Sequence, residues 1–133
     1  MLNQKLKTND IVHFEGHCDN MPEKLRDLDA LIMTSDHEGL PMILLEAMTL
    51  ETPIIAHDVG GIPNLLDQGN CGKLVKEHNS SGYAKALYEV LNSPAKKQVI
   101  TKNALNRVIN TYSAEKNAKE HMQLYKKILS NCQ

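Results

Sequence analysis

A chain of 133 residues can bury one hydrophobic core but is too short for two domains of ordinary size. One phenylalanine, four tyrosines and no tryptophan leave few side chains to stack on bases, which argues against nucleic-acid binding. The three cysteines suggest neither a disulfide framework nor a zinc site, and no segment is apolar enough for a signal peptide or a membrane span, so we expect a cytoplasmic protein.

Short apolar segments alternate with helical patterns along the chain. We predict strands near 11–15, 30–34, 53–57 and 72–75. We predict helices near 21–28, 41–50, 62–67, 81–92, 94–111 and 114–130, with Asn20 and Ser113 as N-caps. This alternation indicates an α/β fold, in which helices cover a parallel sheet.

Two carboxylates, Glu38 and Glu46, stand eight positions apart between the second and third predicted strands. Pro41 suits the first turn of a helix, which places Glu38 in the loop before that helix. Glu46 is the only residue between Met42 and Met48 that is not apolar, so we expect a largely buried helix carrying one carboxylate. Such a carboxylate needs a partner. A structural ion pair with Arg or Lys and a set of ligand hydroxyl groups both stay open.

A second strand–turn–helix unit follows the first. The strand near 53–57 leads into the glycine pair Gly60-Gly61, and Pro63 suits the start of another helix. Two successive units with glycine where the strand ends would form one lip of a doubly wound sheet. Ligands bind at that position in folds of this kind.

The run from Ser35 to Asn64 resembles the signature of the retaining, nucleotide-sugar-dependent GT-B glycosyltransferases of group 1, family 4 type. Segments on either side resemble the same family, so the resemblance covers about residues 10–92; they are Val12 to Gly16, Leu28 to Ser35 and Gln68 to Val75. The resemblance implies a Rossmann-like parallel sheet with helices on both faces, forming part of the C-terminal domain of a GT-B fold.

The resemblance also implies a binding site for a nucleotide-diphosphate sugar. Glu38 matches the candidate catalytic glutamate, which contacts sugar hydroxyls without transferring a proton, and Glu46 matches the glutamate that accepts hydrogen bonds from the ribose diol. Backbone N–H groups at the helix start would bind the diphosphate. The predicted substrate-binding residues are Glu38, Gly39, Leu40, Pro41, Leu44, Glu46, Gly60 and Gly61. We expect no metal or other cofactor, because the family generally works without one and the six histidines are scattered in sequence.

We expect residues 1–133 to form a single, partial donor-binding domain with a helical tail from 94 onwards. The resemblance places outside this sequence an acceptor-binding N-terminal half and the basic pair that holds the diphosphate. Thr34, Glu51 and Asn64 also depart from the family pattern. A glycosyltransferase donor domain, inactive alone, is therefore the first interpretation. A non-catalytic remnant or nucleotide-binding module is the alternative, and a nucleotide-sugar epimerase fits less well.

Charge is divided unevenly along the chain. Residues 1–93 hold seven Lys or Arg against fourteen Asp or Glu, whereas residues 94–133 hold eight against two. The basic tail could face the acceptor domain, in cis or in trans, or the inner surface of a membrane. The alternative is a solvated face on helices whose apolar side chains, Val99, Leu105, Val108, Leu124 and Ile128, pack on the sheet.

The strand near 11–15 carries a prediction about assembly. If the two strands that separate it from 30–34 in the family are absent, it moves in beside 30–34 as a new neighbour, or two chains pair their exposed edges as a homodimer. We favour the first arrangement, because sequential strands often pair.

Overall fold

The computed structural model describes residue 8 and residues 10–130. Within these residues a parallel sheet contains β1 (Leu31–Met33), β2 (Ile54–His57) and β3 (Lys73–Val75), in the order β1-β2-β3. In this register Leu31 lies opposite Ile54, and Ile55 lies opposite Lys73. The prediction of a parallel α/β sheet is confirmed.

Helices fill the connections between the strands and the region after them. They are α1 (Met21–Asp27), α2 (Met42–Thr49), α3 (Ile62–Leu65), α4 (Ser80–Leu91), α5 (Pro94–Arg107) and α6 (Ala114–Ser130). A 3-10 turn (Asp67–Gly69) follows α3, and a π-helical turn (Val108–Tyr112) joins α5 to α6. Ser113 caps α6 as predicted, because its hydroxyl accepts a hydrogen bond from the Lys116 amide. The Asn20 side chain instead donates to the carboxylate of Glu23.

Side chains of the central strand alternate between two hydrophobic clusters. Ile54 and Ala56 pack with Leu25, Leu44 and other core residues from α1, α2, α3 and α5. Ile55 packs on the opposite face with residues from β3 and α4, which are Val75, Ala86 and Val90. Because successive side chains of a strand point to opposite faces, this separation shows that helices cover the sheet on both sides. The predicted Rossmann-like layering is confirmed.

The predicted strand near 11–15 is wrong. These residues have no strand conformation, and the side chains of Ile11 and Phe14 are 78% and 81% exposed. Among the described residues β1 therefore keeps one unpaired edge, and the proposed move of 11–15 beside it does not occur. Apolar alternation alone cannot form a strand, because a strand needs a neighbour to pair its backbone groups. Homodimerisation stays a prediction.

Arg107, expected in the exposed basic tail, instead holds the end of α3. Its guanidinium donates hydrogen bonds to the backbone oxygens of Leu65 and Asn64, at 2.9 and 2.7 Å, and forms an ion pair with Asp67. The last carbonyl groups of a helix lack partners within the helix, so a planar cation fits there well. Arg107 thus ties α5 to the helix that follows the glycine pair.

Helix α6 buries none of its residues among the described part of the chain. Leu124 and Ile128 are about half exposed, and Val99 on α5 is 58% exposed. The predicted packing of these three side chains on the sheet is wrong, because α6 lies beyond the π-helical turn, which it contacts, rather than over the sheet. Leu105 and Val108 are partly buried as expected. In the described residues, no helix has the length and apolar character needed to cross a bilayer.

Candidate functional site

Three loops meet at the carboxyl edge of the sheet. They follow β1, β2 and β3 and span 34–41, 58–61 and 76–79. Since the strands are parallel, their carboxyl ends lie along one edge, which is where α/β sheets bind ligands. The predicted glutamate and glycine positions fall on the first two of these loops and on α2.

The first two loops press backbone against backbone. The Gly61 amide donates a hydrogen bond to the Glu38 backbone oxygen at 3.0 Å. A Cβ atom at Gly60 would lie well inside 3.0 Å of the Glu38 oxygen, and a Cβ at Gly61 equally close to the Gly39 oxygen. Gly60 also has a φ of +54°, which disfavours any other residue. The glycine pair therefore sets the position of the loop that carries Glu38.

The Glu38 loop leads directly into α2. Pro41 is buried and occupies the N-cap rather than the first helical turn, and its backbone oxygen accepts a hydrogen bond from the Leu44 amide at 3.1 Å. Gly39 and Leu40 precede it and are exposed. The start of α2 is therefore open to solvent, as a site for an anion requires.

Glu46 is exposed, so its predicted burial is wrong. Helix α2 buries Leu44, Ala47 and Met48, and Glu46 lies on the opposite side with Met42, which is 63% exposed. The nearly continuous apolar run concealed a helix with one wet face. Glu46 forms no hydrogen bond or ion pair with any described residue, so the structural ion pair has no support there.

Two further predicted residues have contrasting surroundings. Glu38 is half-buried, and its carboxylate, like that of Glu46, forms no hydrogen bond or ion pair within the described part of the chain. Leu44 is fully buried in the core. The geometry therefore gives no support to Leu44 as a ligand contact, and its role is to pack α2 against the sheet.

The structure brings together three polar residues that the sequence analysis did not select. Asp36, His57 and His78 follow or end β1, β2 and β3. The Nδ1 atom of His78 lies 3.0 Å from an Asp36 carboxylate oxygen, and the rings of His57 and His78 have centroids 3.8 Å apart. The expectation of scattered histidines is wrong for this pair. Their common position at strand ends was the signal that could have revealed the cluster.

Tyr83 on α4 borders this cluster. Its ring meets the His78 ring edge-on, with centroids 5.7 Å apart. Its buried hydroxyl has no hydrogen-bond partner in residues 8 and 10–130. Burial raises the pKa of Tyr83, and the nearby Asp36 carboxylate raises it further. The phenol is therefore neutral at physiological pH and available as a donor.

Comparison with known proteins gives the chain its family. The model for "Glycosyl transferases group 1" matches residues 2–107. N-acetyl-alpha-D-glucosaminyl L-malate synthase of Bacillus anthracis is 29% identical over 126 residues, which cover 95% of this chain and 33% of that protein.

Solved structures share the fold. Sucrose-phosphate synthase from Thermosynechococcus elongatus superposes with a TM-score of 0.88 and 27% identity, over 98% of this chain and 33% of that one. Anabaena HepE in complex with UDP gives a TM-score of 0.83 and 22% identity, over 96% and 35% respectively. The chain thus spans about a third of the length of each of these three proteins. With most of its length matched by the family model, the chain belongs to the group 1 glycosyl transferases.

Proposed function

We propose that this chain supplies part of the donor site of a retaining glycosyltransferase and binds a nucleotide-diphosphate sugar along the Glu38 loop and α2. The observation that carries this proposal is the pair of carboxylates at the carboxyl edge of the sheet. Neither Glu38 nor Glu46 has a partner among the described residues, and the glycine pair fixes the backbone beside them.

The chemistry of the two glutamates fits the hydroxyl groups of such a donor. An ionised carboxylate only accepts hydrogen bonds, so it suits a vicinal diol that can donate two. Glu46, exposed on α2, would accept from the ribose diol. Glu38, half-buried in the loop, would accept from hydroxyls of the sugar and hold the ring in position for transfer.

Neither glutamate needs to move a proton in this proposal. The exposed backbone N–H groups of Gly39 and Leu40, at the start of α2, would face the diphosphate. Their partial positive charge and that of the helix dipole favour an anion there. Stabilising charge on the departing diphosphate lowers the barrier, and this is the contribution that the loop could make. That transfer proceeds without a metal stays a prediction.

We expect the Glu46→Gln variant to bind the nucleotide sugar more weakly by about 1–3 kcal/mol, because it loses a charge-assisted hydrogen bond. Calorimetric titration with uridine, guanosine and adenosine diphosphate sugars would first identify the donor. Uridine donors come first, since HepE was solved with UDP.

The matched control for that titration is Glu51→Gln, another exposed glutamate just past α2. It should bind like the unmodified chain. Since Glu46 is exposed and unpaired among the described residues, its variant should melt normally. Equal affinity of the Glu46 and Glu51 variants would contradict the role assigned to Glu46.

The second candidate is a nucleotide-binding module without catalysis of its own. It is favoured by the length of the chain, which matches about a third of each related protein described above. We expect the 133-residue chain to bind a donor but to release no nucleoside diphosphate in a coupled assay. Turnover by the purified chain alone would contradict this. Recovery on adding an acceptor-binding half would favour a transferase subunit.

The remaining expectations about surroundings stay predictions. They are a cytoplasmic location, contact of the basic tail with a membrane surface, and docking of an acceptor-binding domain in cis or in trans.

A further inference from the structure

The cluster at the carboxyl edge has the composition of a metal site. Asp36, His57 and His78 each offer one ligand atom, and these atoms all lie within 4.8 Å of one another. Each residue comes from a different strand end, so the cluster is built by the fold and not by a single loop. We propose that Asp36, His57 and His78 bind a borderline divalent cation of the Zn²⁺ class.

The tautomer of His57 suits this role. Its Nδ1 atom lies 3.2 Å from the backbone oxygen of Ser35, and a carbonyl can only accept, so Nδ1 carries the proton. The Nε2 lone pair is then free for a cation. A backbone carbonyl that holds the second ring nitrogen is the usual support for a histidine ligand, because it fixes the ring and raises its basicity.

The spacing of the other two ligand atoms agrees with a shared ion. The Nδ1 of His78 and the Asp36 oxygen are 3.0 Å apart. Two ligands that each lie ~2.0–2.1 Å from a tetrahedral zinc are about 3.3 Å apart, so a cation could replace the proton between them with little movement. The rim is not closed, since Asp36 and His78 are exposed and His57 is partly exposed.

The donor set selects the class of cation. Two imidazoles with one carboxylate favour Zn²⁺, Co²⁺ and their neighbours, whereas Mg²⁺ prefers oxygen ligands and retains its water. Three protein ligands leave one tetrahedral position open. Bound there, the ion would join the loops after all three strands, including the one that carries Glu38. The proposal does not depend on nucleotide binding.

The test is calorimetric titration of the untagged 133-residue chain with ZnCl₂, repeated with CoCl₂ while visible absorption is recorded. We expect one ion per chain and the intense Co²⁺ absorption of a tetrahedral site. MgCl₂ in excess should not compete. Saturation at more than one site, or no saturation at all, would overturn the proposal.

Variants decide whether these residues are the ligands. Asp36→Asn keeps the size of an exposed side chain but removes the charge, and His78→Gln removes an imidazole; each should weaken Zn²⁺ binding more than about tenfold. The matched control is His17→Gln, because His17 and Asp19 form a similar exposed pair at 3.2 Å without a second histidine against it. It should leave Zn²⁺ affinity unchanged.

Two results would overturn the assignment. One is unchanged affinity in Asp36→Asn, whose thermal melting should match that of the unmodified chain. The other is an equal loss in the His17 control. If His78→Gln proves unfolded, Asp36→Asn alone decides.

Discussion

Replacing Gly61 by alanine should destabilise the fold by about 3 kcal/mol, the upper range for forcing an extra atom into a packed site. Gly61 has a φ of −84° and a ψ of −8°, which alanine adopts freely, so the effect is a pure collision with the Gly39 carbonyl oxygen. Relief of the collision must move the Glu38 loop. Urea unfolding should report the loss of stability, and titration with the donor identified above should show no binding.

Gly39→Ala is the matched control on the other side of that contact. A Cβ atom at Gly39 would meet nothing within 4 Å, so stability should change by less than about 1 kcal/mol. A Gly61 variant as stable as the Gly39 variant would show that the loops can separate without cost. The glycine pair would then not be what positions Glu38.

Leu44→Ala should cost about 2–5 kcal/mol of unfolding free energy, the range for removing a buried leucine side chain from a core. Leu44 is fully buried and packs in the cluster that joins α1, α2, α3 and α5 to the sheet. The measurement is the midpoint of urea unfolding, followed by donor titration under conditions where the variant remains folded. There, donor affinity should be nearly unchanged, because the leucine side chain is out of reach.

The control for Leu44 lies on the other face of the same helix. Met42 is 63% exposed, so Met42→Ala should change stability by only about 0.5 kcal/mol. If Leu44→Ala instead left stability intact and abolished donor binding, the leucine would belong to the site, as the family resemblance implied.

The central strand and the turns around it were predictable from the sequence. The apolar segment near 53–57 is a continuous buried run, which is typical of a parallel strand covered on both faces, and it forms β2. Pro41 and Pro63 mark where α2 and α3 begin to within a residue or two. Local chemistry decides these features, so local pattern suffices to predict them.

Features that depend on distant partners were not predictable in the same way. The exposure of Glu46 follows from which side of α2 meets the sheet, and a run of apolar residues on all sides does not reveal that side. The segment 11–15 has the composition of a strand but no neighbouring strand among the described residues. Likewise, Asp36, His57 and His78 are separated by about twenty residues each, and only the parallel order of the strands unites them.

The contact between the Gly60-Gly61 turn and the Glu38 loop uses main-chain atoms from both sides. Its geometry is therefore insensitive to which side chains the neighbouring positions display. Exposed positions such as His37 and Leu40 could change without shifting the frame that holds them. Such a division of labour, with an invariant scaffold and replaceable recognition groups, would let a single architecture accept different donors through substitutions at a few loop positions.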